Sequence, residues 1–278
     1  MPTLKVGDRG ESVKVLQRAL NRVCSLLLVD GDFGPITQAA VADAYEVLGR
    51  PGPPVADDAF VSALQARPEP STELTAPGVV FIGREEVSSP AAYRATYRSP
   101  VWPTANSGIT IGIGYDLAHT TPAQFRADWS ALPAATLDRL MPAVGVRGSR
   151  ALCEAVKDIQ ISLPLAVTVF LQRMVPTHAA ATRSIYPRLD TLPPARRTAL
   201  VSLVFNRGTD LTDDPGSTRR REMKRIQTLL AAGDVELVAN ELESMTRIWD
   251  PQTERGVILR RRREATLWRA GFAALQLA

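Results

Sequence analysis

One ten-residue stretch, Ser107–Asp116, limits what this chain can fold into. It reads SGITIGIGYD, with Ile109, Ile111 and Ile113 alternating with Thr110, Gly112 and Gly114. A period of two marks a short strand with one buried face. The glycines strip side chains from the other face, so a second backbone or a ligand can approach closely. No other strand-rich region appears. From Pro122 onward the pattern is helical almost throughout, punctuated by Pro133, Pro142, Pro164, Pro187 and Pro193-Pro194. The expected fold is therefore mainly α (α+β), with many helices and one small antiparallel sheet. Asp116 closes the strand, Thr110 lies inside it, and no other Asp or Glu falls between Glu86 and Asp116. A two-carboxylate hydrolytic cleft needs such a set; an ordinary hairpin is the plainer alternative.

Composition removes several other chemistries. No apolar run approaches the roughly 20 residues needed to span a bilayer, so membrane insertion is not expected. The start, MPTLKVGDRG, lacks the charged-then-apolar layout of a signal peptide. A substrate outside the cytoplasm would then require release through membrane holes or a dedicated secretion machine. The histidines are His119 and His178, and neither has a partner at helical ligand spacing, so no metal site is expected. Cys24 and Cys153 sit in separate helix-like segments and read as buried reduced thiols. Residues 1–66 carry six basic and eight acidic side chains, while the remainder carries 27 and 21. A basic second part suits an anionic polymer, but no zinc, RNP or basic–aromatic repeat points to nucleic acid. The run Arg260–Glu264, RRRRE, reads as a solvated helix face.

The segment Arg67–Gly78, RPEPSTELTAPG, reads as an extended linker of residues 67–78 that would reach roughly 35 Å. It divides a domain of residues 1–66 from one of residues 79–278. The first domain shows helical spacing over Gly10–Val23, with Ser12 as its start, over Thr37–Leu48, and over a shorter Asp57–Leu64. Between the first two lies LLVDGDFGPIT. A calcium loop is rejected there, because Val41 stands at the twelfth position, where a bidentate Glu is required. The loop instead reads as structural. Phe33 plugs the core, Asp30 and Asp32 bond their own backbone, and Thr37 caps the second helix.

These motifs, LKVGDRGESVKVLQRALN and VDGDFGPITQAAVADAY, resemble the three-helix peptidoglycan-binding domain of many bacterial and phage wall hydrolases. The resemblance covers Leu4 to about Leu64. It implies a shallow wall-binding groove beside Asp30, Asp32, Phe33 and Thr37. Tyr45-Glu46 stands where that family usually has Phe-Gln.

In the second domain, Val79–Glu86 is an apolar segment ending in two acids. Hydrolysing a glycosidic bond takes one carboxyl group to protonate the leaving oxygen and another to guide water or attack the sugar. Glu86 suits the first role, since it follows VVFIG and shares a helical face with Val79 and Ile82, whereas Glu85 faces another way. Asp116 is the next carboxylate; its plainer role is to cap the segment that follows. Thr110 points to the glycine face, where a hydroxyl can hold water, or is an ordinary strand residue. Ser89-Pro90 opens a helix, on which Tyr93 and Tyr97 lie four apart. Tyr93, Tyr97 and Trp102 would stack on sugar faces or pack in the core. Asn206 and Arg207 would bond glycan or peptide, or form a helix end closed by Gly208.

Glu86, TIGIG, LVSLVFNRG at Leu200–Gly208 and GVILRRRREATLW at Gly256–Trp268 together resemble phage-type lysozymes of glycoside hydrolase family 24, especially their pesticin-like branch. Phage members carry the second carboxylate between the Glu and the Thr, and Val87–Ile109 contains none. The pesticin-like branch places an Asp six residues past the Thr, which is Asp116. Tyr115 stands where phage members tend to have His, and joins the substrate-binding candidates. The resemblance implies Glu86 as general acid, Asp116 as the carboxylate that positions water, Thr110 as its hydroxyl partner, and hydrolysis of the MurNAc–GlcNAc β-1,4 bond with inversion. It implies no metal or cofactor, peptidoglycan as partner, and a monomer, with an inhibitor or immunity protein if the chain is a secreted toxin. A degenerate, non-catalytic wall-binding protein and a chitinase or lytic transglycosylase are the alternatives.

Overall fold

The structure, a computed structural model, describes residues 3–103, 107–213 and 216–278. It is mainly α-helical with one two-stranded antiparallel sheet. The chain packs as two compact units: residues 1–70 with 83–174, and residues 71–82 with 175–278.

In the first unit, residues 4–64 supply a hydrophobic core of their own, built around Leu16, Leu20, Phe33, Ala44, Phe60 and Leu64. Its helices are Glu11–Asn21, Pro35–Val47 and Asp58–Gln65. Two expected starts are corrected. The first helix begins at Glu11 behind Gly10, whose φ of 105° only glycine adopts readily, so Ser12 is already inside it. The second begins at Pro35 behind Gly34. Thr37 therefore caps nothing; it is buried, and its hydroxyl donates back to the Asp32 carbonyl at 3.2 Å. Tyr45 is buried too, its hydroxyl donating to the Val55 carbonyl at 2.9 Å.

The expected linker is only partly extended. Ala76, Pro77 and Gly78 form the first turn of a helix, Ala76–Val87, that continues into the apolar segment. Proline fits a first turn, where its missing N–H has no intrahelical partner to lose. Upstream, Arg22 donates to the Arg67 carbonyl at 2.6 Å and pairs with Glu69 at 3.4 Å. Further along the same helix, Gly83 lies against Leu26: a Cβ there would come within 2.6 Å of a Leu26 methyl. Arg84 donates to the Leu26 carbonyl at 2.8 Å, and Arg94 pairs with Asp43. The end of this helix that carries Glu86 is thus packed against Leu26 at Gly83 and Arg84.

The sheet consists of β1 (Thr110–Ile111) and β2 (Tyr115–Asp116), in a register that pairs Thr110 with Asp116 and Ile111 with Tyr115. Ile109, Ile111 and Ile113 are all buried, but the expected single strand is a hairpin: Ile113 lies in the turn between β1 and β2, and Gly112 beside it is buried too. Gly112 and Gly114 make the turn with φ of 58° and 71°. Gly112 is also a close approach, since a Cβ there would meet Trp129 Cη2 at 2.7 Å, and Trp129 is fully buried. Gly112→Ala is expected to destabilise the protein by about 2 kcal/mol, from a left-handed backbone and an overpacked contact together. A melting temperature unchanged within a degree would refute that account.

In the second unit, helices Pro194–Arg207 and Arg255–Ala270 enclose a buried ionic network. The expected solvated face of RRRRE is corrected here. Arg261 and Glu264 are fully buried and Arg260 is 5% exposed; Arg262 stays exposed. Glu264 accepts from Arg261 at 2.7 Å and from the Ser202 hydroxyl at 2.6 Å, while Arg260 reaches the Ser202 hydroxyl at 3.1 Å and its carbonyl at 3.0 Å. Cys24 is buried and Cys153 half-buried, both free, and burial pushes the Cys24 thiol up to about 12.

Candidate active site

Glu86 lies in the last turn of the helix Ala76–Val87 and is half-buried. The chain leaves this helix through Ser88, a non-glycine residue at φ 63°, whose N–H bonds the Arg84 carbonyl at 2.7 Å. Ser89 then caps the short helix Pro90–Ala92, its hydroxyl accepting from Ala92 N–H at 3.0 Å. The hairpin turn approaches Glu86 from the other side. A Cβ on Gly114 would lie 3.1 Å from the Glu86 carboxylate, so only a glycine backbone fits against it without displacement. Close backbone approach across the glycine face is what the sequence pattern demands.

Asp116 follows Gly114 by two residues and ends β2. It faces Thr110 directly across the sheet. The Thr110 N–H and carbonyl both bond Val101, at 2.8 and 3.0 Å. The Thr110–Asp116 pair is therefore of the non-hydrogen-bonded kind, in which the side chains stand closest. The Asp116 carboxylate accepts from Gly108 N–H at 3.0 Å and from Ala118 N–H at 2.9 Å. The second bond caps the turn Leu117–His119, so the plainer capping role is present as well. Gly108 is obligatory beside it, as a Cβ would fall 2.2 Å from Asp116 Oδ1. These bonds hold the carboxylate in one orientation. His119 Nε2 stands 3.8 Å from Asp116 Oδ2 and is exposed. Among the described residues no group of three or more His, Cys, Asp or Glu could hold a metal ion.

The expected sugar-stacking rings separate into two classes. Tyr93 is fully buried and its hydroxyl donates to the Ile161 carbonyl at 3.1 Å, so it is core, not a platform; burial pushes its phenol well up. Tyr115 is also buried, donating to Asp128 at 2.7 Å and meeting Trp129 edge-on at 5.5 Å. Burial raises its phenol too. Tyr97 and Trp102 are half-buried, and the Trp102 ring packs on Gly148, where a Cβ would meet it at 2.5 Å. Tyr93 and Tyr97 do not share an α-helical face as expected, because Tyr93–Tyr97 is a π-helical turn in which Arg98 N–H bonds the Tyr93 carbonyl at 2.7 Å.

Asn206 and Arg207 lie in the second unit. Asn206 is exposed in the last helical turn, and Gly208, at φ 68°, closes that helix by donating to the Val204 carbonyl at 2.8 Å. Arg207 donates to the Arg219 carbonyl at 2.6 Å and stacks over Trp249 at 5.2 Å. Burial, with Arg220, Arg219 and Arg261 nearby, lowers its guanidinium to about 10. Both residues stand in the last turn of that helix, ahead of Gly208.

In the wall-binding candidate loop, Phe33 is buried in the core as expected. Asp30 accepts from Asp32 N–H at 2.9 Å, whereas the Asp32 side chain pairs with exposed Arg9 at 2.8 Å instead of its own backbone. Sequence reasoning missed Gln17, which is 1% exposed. Its amide donates to Asp30 at 2.7 Å and to the Asp32 carbonyl at 3.1 Å, and accepts from Gly31 N–H at 2.9 Å. A signal for it exists: Gln17 lies four residues after Val13 on the apolar face, and a buried amide must find partners. Asp128 was missed as well; it accepts from Tyr115 and from Gln124 at 2.6 Å, and so pins β2 from behind. No family model and no curated protein matches this chain.

Proposed function

We propose that the protein is a peptidoglycan hydrolase, a muramidase cutting the MurNAc–GlcNAc β-1,4 bond. The observation that carries the reading is that one hairpin pairs Thr110 with Asp116 and sets the bare backbone of Gly114 against the Glu86 carboxylate. In this reading Glu86 gives its proton to the glycosidic oxygen as the C–O bond breaks. Asp116, steadied by Gly108 and Ala118, takes a proton from the attacking water, and Thr110 holds that water by its hydroxyl. The new C–O bond forms on the face opposite the leaving group, so the anomeric configuration inverts.

The capping bond of Asp116 favours a second reading, a wall-binding protein whose lysozyme-like cleft is inactive. Digestion of purified wall separates the two, with products weighed by mass spectrometry. Wild type is expected to release fragments with water added, and Asp116→Asn to lose about 10²-fold or more in rate. Anhydro-sugar ends would move the protein to the lytic transglycosylases. Absence of any product would leave the wall-binding reading.

A further inference from the structure

Three arginines meet where the helix Pro194–Arg207 ends and the helix Arg221–Ala232 begins. Backbone carbonyls hold their guanidinium groups. Arg207 donates to the Arg219 carbonyl at 2.6 Å, Arg220 to the Arg207 carbonyl at 2.8 Å, and Arg219 to the Ile248 carbonyl at 3.3 Å. Among the described residues none of the three pairs with a carboxylate, and the acids nearby are engaged elsewhere. Asp213 takes Lys224 at 3.0 Å and the Arg220 N–H at 2.7 Å. Glu222 takes Arg221 at 2.8 Å and Arg247 at 2.7 Å, and Asp210 takes the Thr212 N–H at 2.8 Å. Arg219 is exposed, but Arg207 and Arg220 are half-buried. Charges drawn out of water are normally paired. Arg207 lies over the Trp249 ring instead, and its Nε–H is buried with no hydrogen-bond partner among the described residues. The hydroxyl of Tyr186, a residue 1% exposed, is a second buried donor without a partner, and Arg207 and Arg220 are close enough to act on it. Burial first, then the neighbouring arginines, hold the Arg207 guanidinium down at about 10. An anion would relieve that repulsion.

We infer that Arg207, Arg219 and Arg220 bind a phosphate group, either free or as a phosphomonoester. Guanidinium forks match the oxygens of carboxylate and phosphate alike, and charge separates the two. A carboxylate brings one negative charge to three cations that lack a counterion. A phosphomonoester brings about −1.5 to −2 at pH 7, with three strong acceptor oxygens. Each guanidinium group already bonds a carbonyl, so its direction is set and less side-chain freedom is lost when the anion arrives. All three residues belong to the second unit, and the inference does not rest on the muramidase reading.

The test is calorimetric titration of the full chain with inorganic phosphate and, separately, with glycerol 3-phosphate, near neutral pH and at constant ionic strength. Saturable binding of at least one is expected, with none for acetate at the same concentrations. Whichever phosphate binds more tightly tells a free anion from an ester. Arg219→Gln and Arg220→Gln should each weaken binding by about tenfold or more, the loss of one hydrogen bond to a charged group. Arg219 is exposed, so its replacement leaves the fold in place, and circular dichroism checks the Arg220 variant. Arg225→Gln, on the same helix but paired with Glu241, should stay within about twofold of wild type, whereas a merely basic surface would lose affinity there equally. Three results would each overturn the inference: no saturable binding of either phosphate by wild type, acetate binding as tightly as phosphate, or the same affinity in Arg219→Gln as in Arg225→Gln. Binding is read without substrate, so loss of the muramidase reading would leave this result standing.

Discussion

Glu86→Gln is expected to reduce clearing of purified wall by about 10³-fold while leaving the melting curve in place. A positioned general acid contributes about 10²–10⁴-fold, and Gln keeps the shape of Glu without a transferable proton. Glu86 is half-buried at a helix end, and the hairpin presents the side-chain-free backbone of Gly114 to its carboxylate. Glu85→Gln, on the neighbouring position, is expected to retain activity within about threefold, which assigns the proton to one residue of the pair. Glu86→Gln activity within tenfold of wild type, at equal folded content, would refute the assignment.

The largest stability effect is expected at Glu264. Replacing it by Ala removes the acceptor for Arg261 and Ser202 and leaves two nearly sealed guanidinium groups without their carboxylate. Breaking a buried pair from one side costs about 3–5 kcal/mol, because the remaining charge has lost its water and gained nothing. Urea unfolding reads this directly as a lower midpoint at unchanged slope. The penalty belongs to the orphaned charge, so Glu264→Leu combined with Arg261→Met should cost clearly less than the sum of the single changes. Additive losses would show that the network contributes as separate contacts.

Much of the molecule is legible in the sequence because alternation and helical spacing report which face is buried. Ile109, Ile111 and Ile113 face inward, Ser89-Pro90 opens a helix, and Gly208 ends one. Spacing says nothing of whether a polar residue on a covered face brings its partners with it. That is why it hides Gln17 and places Arg260 and Arg261 in solvent. The Ser202–Glu264 contact that resolves the second case joins residues 62 apart in sequence. Thr37 carries a cap signal, but Gly34-Pro35 has already begun the helix ahead of it. Tyr93 resembles a sugar platform because a tyrosine's body packs and its hydroxyl bonds equally well in a core. The proposed catalytic trio sits between these cases. Register joins Thr110 to Asp116 through local sequence alone, whereas the meeting of Glu86 with Gly114 depends on how the helix Ala76–Val87 is seated.

That seating bears on how such a protein can be rebuilt. Leu26 fills the notch at Gly83, and its carbonyl receives Arg84. The N-terminal 66 residues are therefore not an interchangeable cassette. A chimera that exchanges them for a different module would strip the notch of its plug and the guanidinium of its acceptor, three residues and two residues ahead of Glu86. Grafting a new specificity onto this chain means transplanting the Leu26 turn along with it.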